Sequence, residues 1–281
     1  MPWRIVIATR IFPVAVGFQE AIRAAGHEPV ALLTIRDLEG LYLGGALDEL
    51  PGELDLLVPA RRRSIAPLLA AVRPDLVVCM GFPWRIPPDA LAVPPLGWLN
   101  GHPSLLPEHR GPIPVSWAIR NGDSQIGISF HLMDAELDTG PVVAQSSIDV
   151  GGYCEPDELF GRMGPATGET LVEALARIEA GDRGTPQPAG GAYESFFTDG
   201  DVWLDAVRSA EEQHRLAWAW QFTPPVGTDQ GLLVELDGEP ARIVRSSLEP
   251  FDDAVRIDCA DAPLWVTTER PAAPARAEAR S

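Results

Sequence analysis

The sequence of 281 residues contains only three cysteines, Cys79, Cys154 and Cys259, far apart and without a C-x-x-C pair. An odd number at such spacing excludes a disulfide framework and a cysteine-based zinc site, so the three read as buried thiols and no bound metal is expected. No apolar run approaches the roughly 20 residues that span a bilayer. The first 17 residues also lack the charged start, apolar stretch and small-residue cleavage site of a secretory signal. No membrane association is expected, and a cytoplasmic location is. Basic residues are scarce: 22 Arg and no Lys face 40 Asp plus Glu, a formal net charge of −18. Neutralising phosphates takes a cation for each, so this balance disfavours tRNA or any other polyanion as a partner. The first strand-like run, 3–8, leads into Thr9-Arg10-Ile11-Phe12-Pro13 instead of G-x-G-x-x-G. That argues against a dinucleotide at this helix end, and so against a dehydrogenase.

An apolar content of 46% with 22% charged residues describes a globular chain, long enough for one or two cores. Trp3–Ala8 reads as a buried strand; Val14, Phe18, Ile22 and Ala25 recur at helical spacing before Gly26; and 29–33 gives a second strand. Residues 36–52 read as a loop and 54–58 as a short strand. Ser64 is expected to cap a helix through Val72, and 75–80 (DLVVCM) is the next strand. The order βαβ followed by αβ points to an α/β fold with a parallel sheet covered on both faces. Further on, Pro156-Asp157-Glu158 opens a helix whose apolar face is Leu159, Met163, Leu171, Leu175 and Ile178, and Gly164-Pro165 is expected to kink or interrupt it. Residues 185–191 (TPQPAGG) read as a linker. Beyond it, Ser209 and Glu212 form a capping box for a helix through Trp220, and a hairpin at Asp237-Gly238 joins several short strands. The expected domains are 1–188 and a smaller β domain at 195–270, with the Ala/Pro/Arg-rich 271–281 as a disordered tail.

The chemistry concentrates between Leu96 and Gln145. Asn100, His102 and Asp138 supply an amide, an imidazole and a carboxylate, which suffice for acyl transfer to an amine. The amide and a protonated imidazole can donate to an oxyanion, the imidazole can protonate a leaving nitrogen, and the carboxylate can keep the imidazole charged. Plainer readings exist for each: a turn asparagine, a structural histidine, an aspartate in a turn or capping a helix. His27, His109, His131 and His214 are read as structural. Ser104 is not in a G-x-S-x-G elbow, which disfavours a serine hydrolase.

The run Asn100-x-His102-x-Ser104-Leu105-Leu106-Pro107-x-x-Arg110-Gly111, with Leu137-Asp138-Thr139-Gly140 following, closely resembles the signature of the 10-formyltetrahydrofolate-dependent formyltransferases. That resemblance implies a Rossmann-like formyltransferase domain with a C-terminal OB-like domain. It implies Asn100, His102 and Asp138 as catalytic residues and a donor site at Met80, Gly81, Phe82, Ile86, Ser104, Leu105, Leu106, Pro107 and Asp134, with Leu91 nearby. Arg10 is the candidate for holding the acceptor, and Arg110 for bracing the loop that carries it. The implied reaction moves a formyl group from 10-formyltetrahydrofolate to an amine, leaving tetrahydrofolate. The resemblance alone makes methionyl-tRNA the default acceptor, and the acidic charge balance shifts the expectation to a small-molecule amine, an amino-sugar nucleotide or a biosynthetic amine. A formyltetrahydrofolate hydrolase, a methionyl-tRNA formyltransferase and a non-catalytic folate-binding module stand as alternatives, and a homodimer is compatible with all of them.

Overall fold

A computed structural model describes residues 1–35, 54–191, 193–223 and 231–270. The loop expected at 36–52 and the tail expected at 271–281 lie outside the described residues. The described chain forms two units: 1–110, 126–149 and 157–192 make the first, while 111–125, 150–156 and 193–281 group into the second. No single cut in the sequence produces this division.

The first unit is built on a seven-stranded sheet of order β3-β2-β1-β4-β5-β6-β7. Its strands are β1 (Arg4–Ala8), β2 (Glu28–Leu33), β3 (Asp55–Leu57), β4 (Leu76–Cys79), β5 (Trp98–His102), β6 (Gln125–Leu132) and β7 (Val142–Asp149). Period-2 alternation divides its core. Ile5 and Ile7 turn to one face, where they pack with Phe18 of α1 (Phe12–Ala24) and with Leu171 and Leu175 of α5 (Pro156–Glu179). Val6 and Ala8 turn to the other, with Ile65 and Leu69 of α2 (Ile65–Val72) and Ala90 of the short α3 (Pro88–Leu91). The pairs β3-β2, β2-β1, β1-β4 and β4-β5 are parallel, as the βαβ pattern implies, but β5 and β6 are antiparallel, so the sheet is mixed.

Two local expectations are corrected. Ser64 makes no side-chain cap, because it ends a 3-10 turn over Arg62–Ser64 in helical backbone. The interruption expected at Gly164-Pro165 does not occur: helix α5 runs from Pro156 to Glu179 through Pro165. A proline inside a helix costs about 3 kcal/mol. Burial of Leu159, Met163, Leu171, Leu175 and Ile178 offsets it at roughly 1.5–3 kcal/mol per large apolar side chain.

The second unit carries a four-stranded antiparallel sheet of order β10-β11-β9-β8, the OB-like part of the chain. Its strands are β8 (Leu233–Leu236), β9 (Glu239–Ser247), β10 (Val255–Asp258) and β11 (Pro263–Glu269). Helix α6 (Ala210–Trp220) opens on the expected capping box, in which Ser209 Oγ accepts from the Glu212 amide at 3.2 Å. Helix α4 (Pro114–Asn121) belongs with α6 in this unit. Trp117 Nε1 donates to Ser195 O at 2.8 Å, and Arg120 pairs with Asp201 at 2.7 Å while lying over the Trp117 ring.

Candidate active site

Asn100 and His102 stand two residues apart on β5, so both side chains leave the same face of the strand. The antiparallel register sets His131 opposite Asn100 and Ser129 opposite His102. The asparagine amide nitrogen lies 3.1 Å from His131 Nε2. An amide nitrogen only donates, so His131 Nε2 accepts; its Nδ1 carries the hydrogen and points to Leu132 O at 3.3 Å. One N–H of Asn100 is thereby committed to His131. His131, read from the sequence as structural, belongs to the cluster.

Asp138 closes the group from the loop after β6. Its backbone is in the left-handed region, with φ of 57°, and Oδ1 lies 3.7 Å from both His102 Nδ1 and His131 Nε2. The loop can return this tightly because Gly140 has no side chain: a Cβ there would lie 1.7 Å from Leu132 O. On its other side, His102 Nε2 donates to the His109 carbonyl at 2.8 Å. That fixes the hydrogen on Nε2 and makes Nδ1 the nitrogen that gains and loses a proton beside Asp138. Burial is the larger influence and lowers the pKa of His102; Asp138, acting the other way, does not overcome it. On the expected charged imidazole the two influences are thus opposed in the free protein: Asp138 favours the charged ring and burial disfavours it. Burial also pushes the Cys79 thiol up to about 12, with Asp138 adding to the rise, which removes it as a nucleophile.

The loop after His102 is held by polar contacts. Ser104 Oγ donates to Glu108 O at 2.7 Å, and Ser129 Oγ donates to Ser104 O at 2.5 Å and accepts from the Leu106 amide at 3.1 Å. Gln145 Nε2 donates to Leu106 O at 3.0 Å. Leu105 is exposed, whereas Ser104 and Leu106 are buried. Arg110 meets Gln187, which the sequence presents as part of a linker: Gln187 Oε1 accepts from Arg110 Nη2 at 2.6 Å and Nε at 3.1 Å.

Met80 follows the end of β4, next to β5, and Gly81 turns the chain there with φ of 64°. Phe82 meets the edge of Trp84, with ring centroids 6.1 Å apart. Ile86 lies in the core among Val77, Ala90 and Trp98, with Leu91 packed against the same cluster. Asp134 Oδ1 accepts from Thr139 Oγ1 at 2.8 Å and from the Glu136 amide at 3.0 Å, organising the loop that ends in Asp138. Arg10 occupies the turn between β1 and α1. Among the described residues, no group of three or more His, Cys, Asp or Glu side chains could hold a metal ion, and no helix is long and apolar enough to cross a membrane.

Residues 58–175 match the family described as Formyl transferase. A curated relative, methionyl-tRNA formyltransferase of Synechococcus sp. (strain RCC307), is 38% identical over 182 residues, covering 60% of this chain and 55% of the relative. Among solved structures, a 4-N formyltransferase from Francisella tularensis is similar with a TM-score of 0.70 and 18% identity, over 89% of this chain and 99% of that one. HypX from Aquifex aeolicus, in complex with tetrahydrofolic acid, is similar with a TM-score of 0.69 and 18% identity, over 95% of this chain and 44% of that one. At these identities the structures establish a common fold. The chain spans less than two thirds of the length of the curated relatives it matches.

Proposed function

Since residues 58–175 belong to the formyl transferase family, we propose that the protein transfers the formyl group of 10-formyltetrahydrofolate to an amine, with Asn100, His102 and Asp138 as its catalytic residues. The observation that carries this reading is the single cluster of a half-committed amide, a titrating Nδ1 and a carboxylate 3.7 Å from it. The donor lies along Met80, Gly81, Phe82 and the 104–107 loop. The amine nitrogen attacks the formyl carbon, forming the new C–N bond and an oxyanion. Neutral His102 Nδ1 takes the amine proton, directly or through Asp138 or a water, and becomes an imidazolium beside Asp138. The remaining Asn100 N–H and His102 Nδ1–H then donate to the oxyanion. Collapse breaks the bond from carbon to the folate N10, His102 returns the proton to that nitrogen, and the products are an N-formyl compound and tetrahydrofolate. A resting neutral imidazole suits this sequence, because the group first acts as a base and then as an acid.

For the acceptor, a small amine such as an amino sugar on a nucleotide fits a chain of net charge −18. A second reading is favoured by the name of the Synechococcus relative: an acceptor amine carried on methionyl-tRNA. That name removes the support for setting tRNA aside on charge alone. The deciding experiment incubates the protein with 10-formyltetrahydrofolate and, separately, amino-sugar nucleotides, small amines and initiator methionyl-tRNA. Tetrahydrofolate and formylated product are quantified. Formylation of a small amine supports the first reading and efficient formylation of the tRNA the second. Formate release without any amine would make the protein a hydrolase, and donor binding with no turnover would overturn the catalytic reading.

A further inference from the structure

Gln187 sits in the Pro/Gly-rich stretch after α5, yet both ends of its amide are fully engaged within the first unit. Oε1 accepts two hydrogen bonds from Arg110, while Nε2 donates to Asp138 O at 2.9 Å and to Gly140 O at 2.8 Å. Arg110 is itself anchored to this stretch by a further bond from Nη1 to Gly190 O at 3.1 Å. The two segments that Gln187 joins are those that hold His102. Residue 109, next to Arg110, supplies the carbonyl that takes the Nε2–H, and Asp138 supplies the carboxylate facing Nδ1. Asp138 is held in a left-handed backbone conformation that a side chain other than glycine adopts at a cost. Two donated hydrogen bonds to the carbonyls at 138 and 140 stabilise that conformation from outside the loop.

We propose that Gln187 is a positioning residue for the reaction, fixing the separation between the two groups that grip His102. The proposal rests on the formyl-transfer reading above. A misplacement on the ångström scale suffices to lower a rate by up to roughly 10²-fold. Four short contacts on one amide are a means of preventing it. The groups facing His102 are Asp138 from the loop after β6, His131 from β6 and His109 from the loop after β5.

The test compares the full-length protein with Gln187→Met and Gln187→Glu. Methionine keeps the length of the side chain and removes all four bonds. Glutamate keeps an acceptor for Arg110 but sets an oxygen without a hydrogen against the carbonyls of Asp138 and Gly140. Three measurements are made on each: kcat and KM for the folate donor, the His102 pKa from NMR titration of its ring Cε1–H, and thermal unfolding. The expected result is a fall in kcat of about tenfold or more with donor KM changed less than about threefold. In the methionine variant, the His102 pKa should also fall by about half a unit as Asp138 loosens. Unchanged rate and unchanged His102 titration in a folded variant would overturn the proposal, and so would a lowered unfolding temperature with both of those intact, since a plain brace would do that. If methionine prevents folding, the glutamate variant decides by the same rate criterion. Absence of transfer by the unsubstituted protein to any amine would defeat the functional reading, while the His102 titration of the methionine variant would still decide the role of Gln187.

Discussion

His131 faces Asn100 directly across the β5–β6 pair, and its unprotonated Nε2 accepts a hydrogen bond from the Asn100 amide at 3.1 Å. The histidine thereby restrains the asparagine side chain. Replacing His131 by Leu is expected to lower formyl transfer by roughly tenfold or more, since an oxyanion donor left free to rotate loses part of its roughly 10²–10³ contribution. His131→Gln, which retains an acceptor, should recover part of that loss. Steady-state kinetics of both variants, with circular dichroism to verify folding, make the comparison.

His102→Asn should reduce transfer at least about a hundredfold while leaving donor binding near normal, because the imidazole acts on the transition state and not on the ground state. Near-normal turnover would remove His102 from the mechanism.

The acidic limb of the rate should reflect His102. Burial lowers its pKa, so the neutral base persists below pH 6.5 and the rate declines only as pH falls through that lowered value. Asp138→Asn removes the one carboxylate that opposes the burial effect, and should move the limb to still lower pH while reducing kcat. A limb that moves upward in Asp138→Asn would contradict the arrangement.

Stability should follow the same sign. His27, His102 and His214 all have pKa values lowered by burial, so between those values and 6.5 the unfolded chain binds more protons than the folded one. Stability contributed by these groups is present above 6.5 and is lost as pH falls through the folded values. At His27 burial is the largest cause, and Trp3 contributes to the cover: the ring stacks on Trp3 with centroids 4.3 Å apart, and Nδ1 accepts from the Trp3 amide at 3.3 Å. The unfolding temperature should be lower at pH 5.5 than at pH 7.5, and less pH-dependent in His27→Gln.

Gly140→Ala should lose activity and cost stability, because its methyl group would sit 1.7 Å from Leu132 O, a backbone atom that cannot move aside cheaply. Overpacking of this kind costs roughly 1–3 kcal/mol or more, measurable by urea unfolding.

Much of this was legible from residue types and spacing. Runs such as 3–8 and 75–80 are apolar because their strands are covered on both faces, and Asn100 and His102 declare a shared face by their separation of two. His131 gave no such signal. A single histidine in an apolar strand looks like a core residue until the antiparallel register with β5 places it beside Asn100, and nothing local to 125–132 specifies that register. Gln187 was hidden for a similar reason: Thr185-Pro186-Gln187-Pro188 has the composition of a linker, and its bonds are made to residues 47 to 77 positions away. Pro165 misled in the opposite direction, since the tertiary burial of α5 outweighs a local helix-breaking preference.

Helix α4 has a consequence for how the chain is made. Its buried side chains Val115, Ala118 and Ile119 belong to a unit whose other helix, α6, begins 89 residues after α4 ends, at Ala210 against Asn121. At a synthesis rate of about 5–20 residues per second, that interval is on the order of 4–18 s. Throughout it the nascent protein carries an apolar segment whose partner does not yet exist, inserted between β5 and β6, the strands that deliver Asn100, His102 and His131. Translation therefore passes through a stage in which an occupant for that segment, a chaperone or the ribosome surface, would guard against association with other nascent chains.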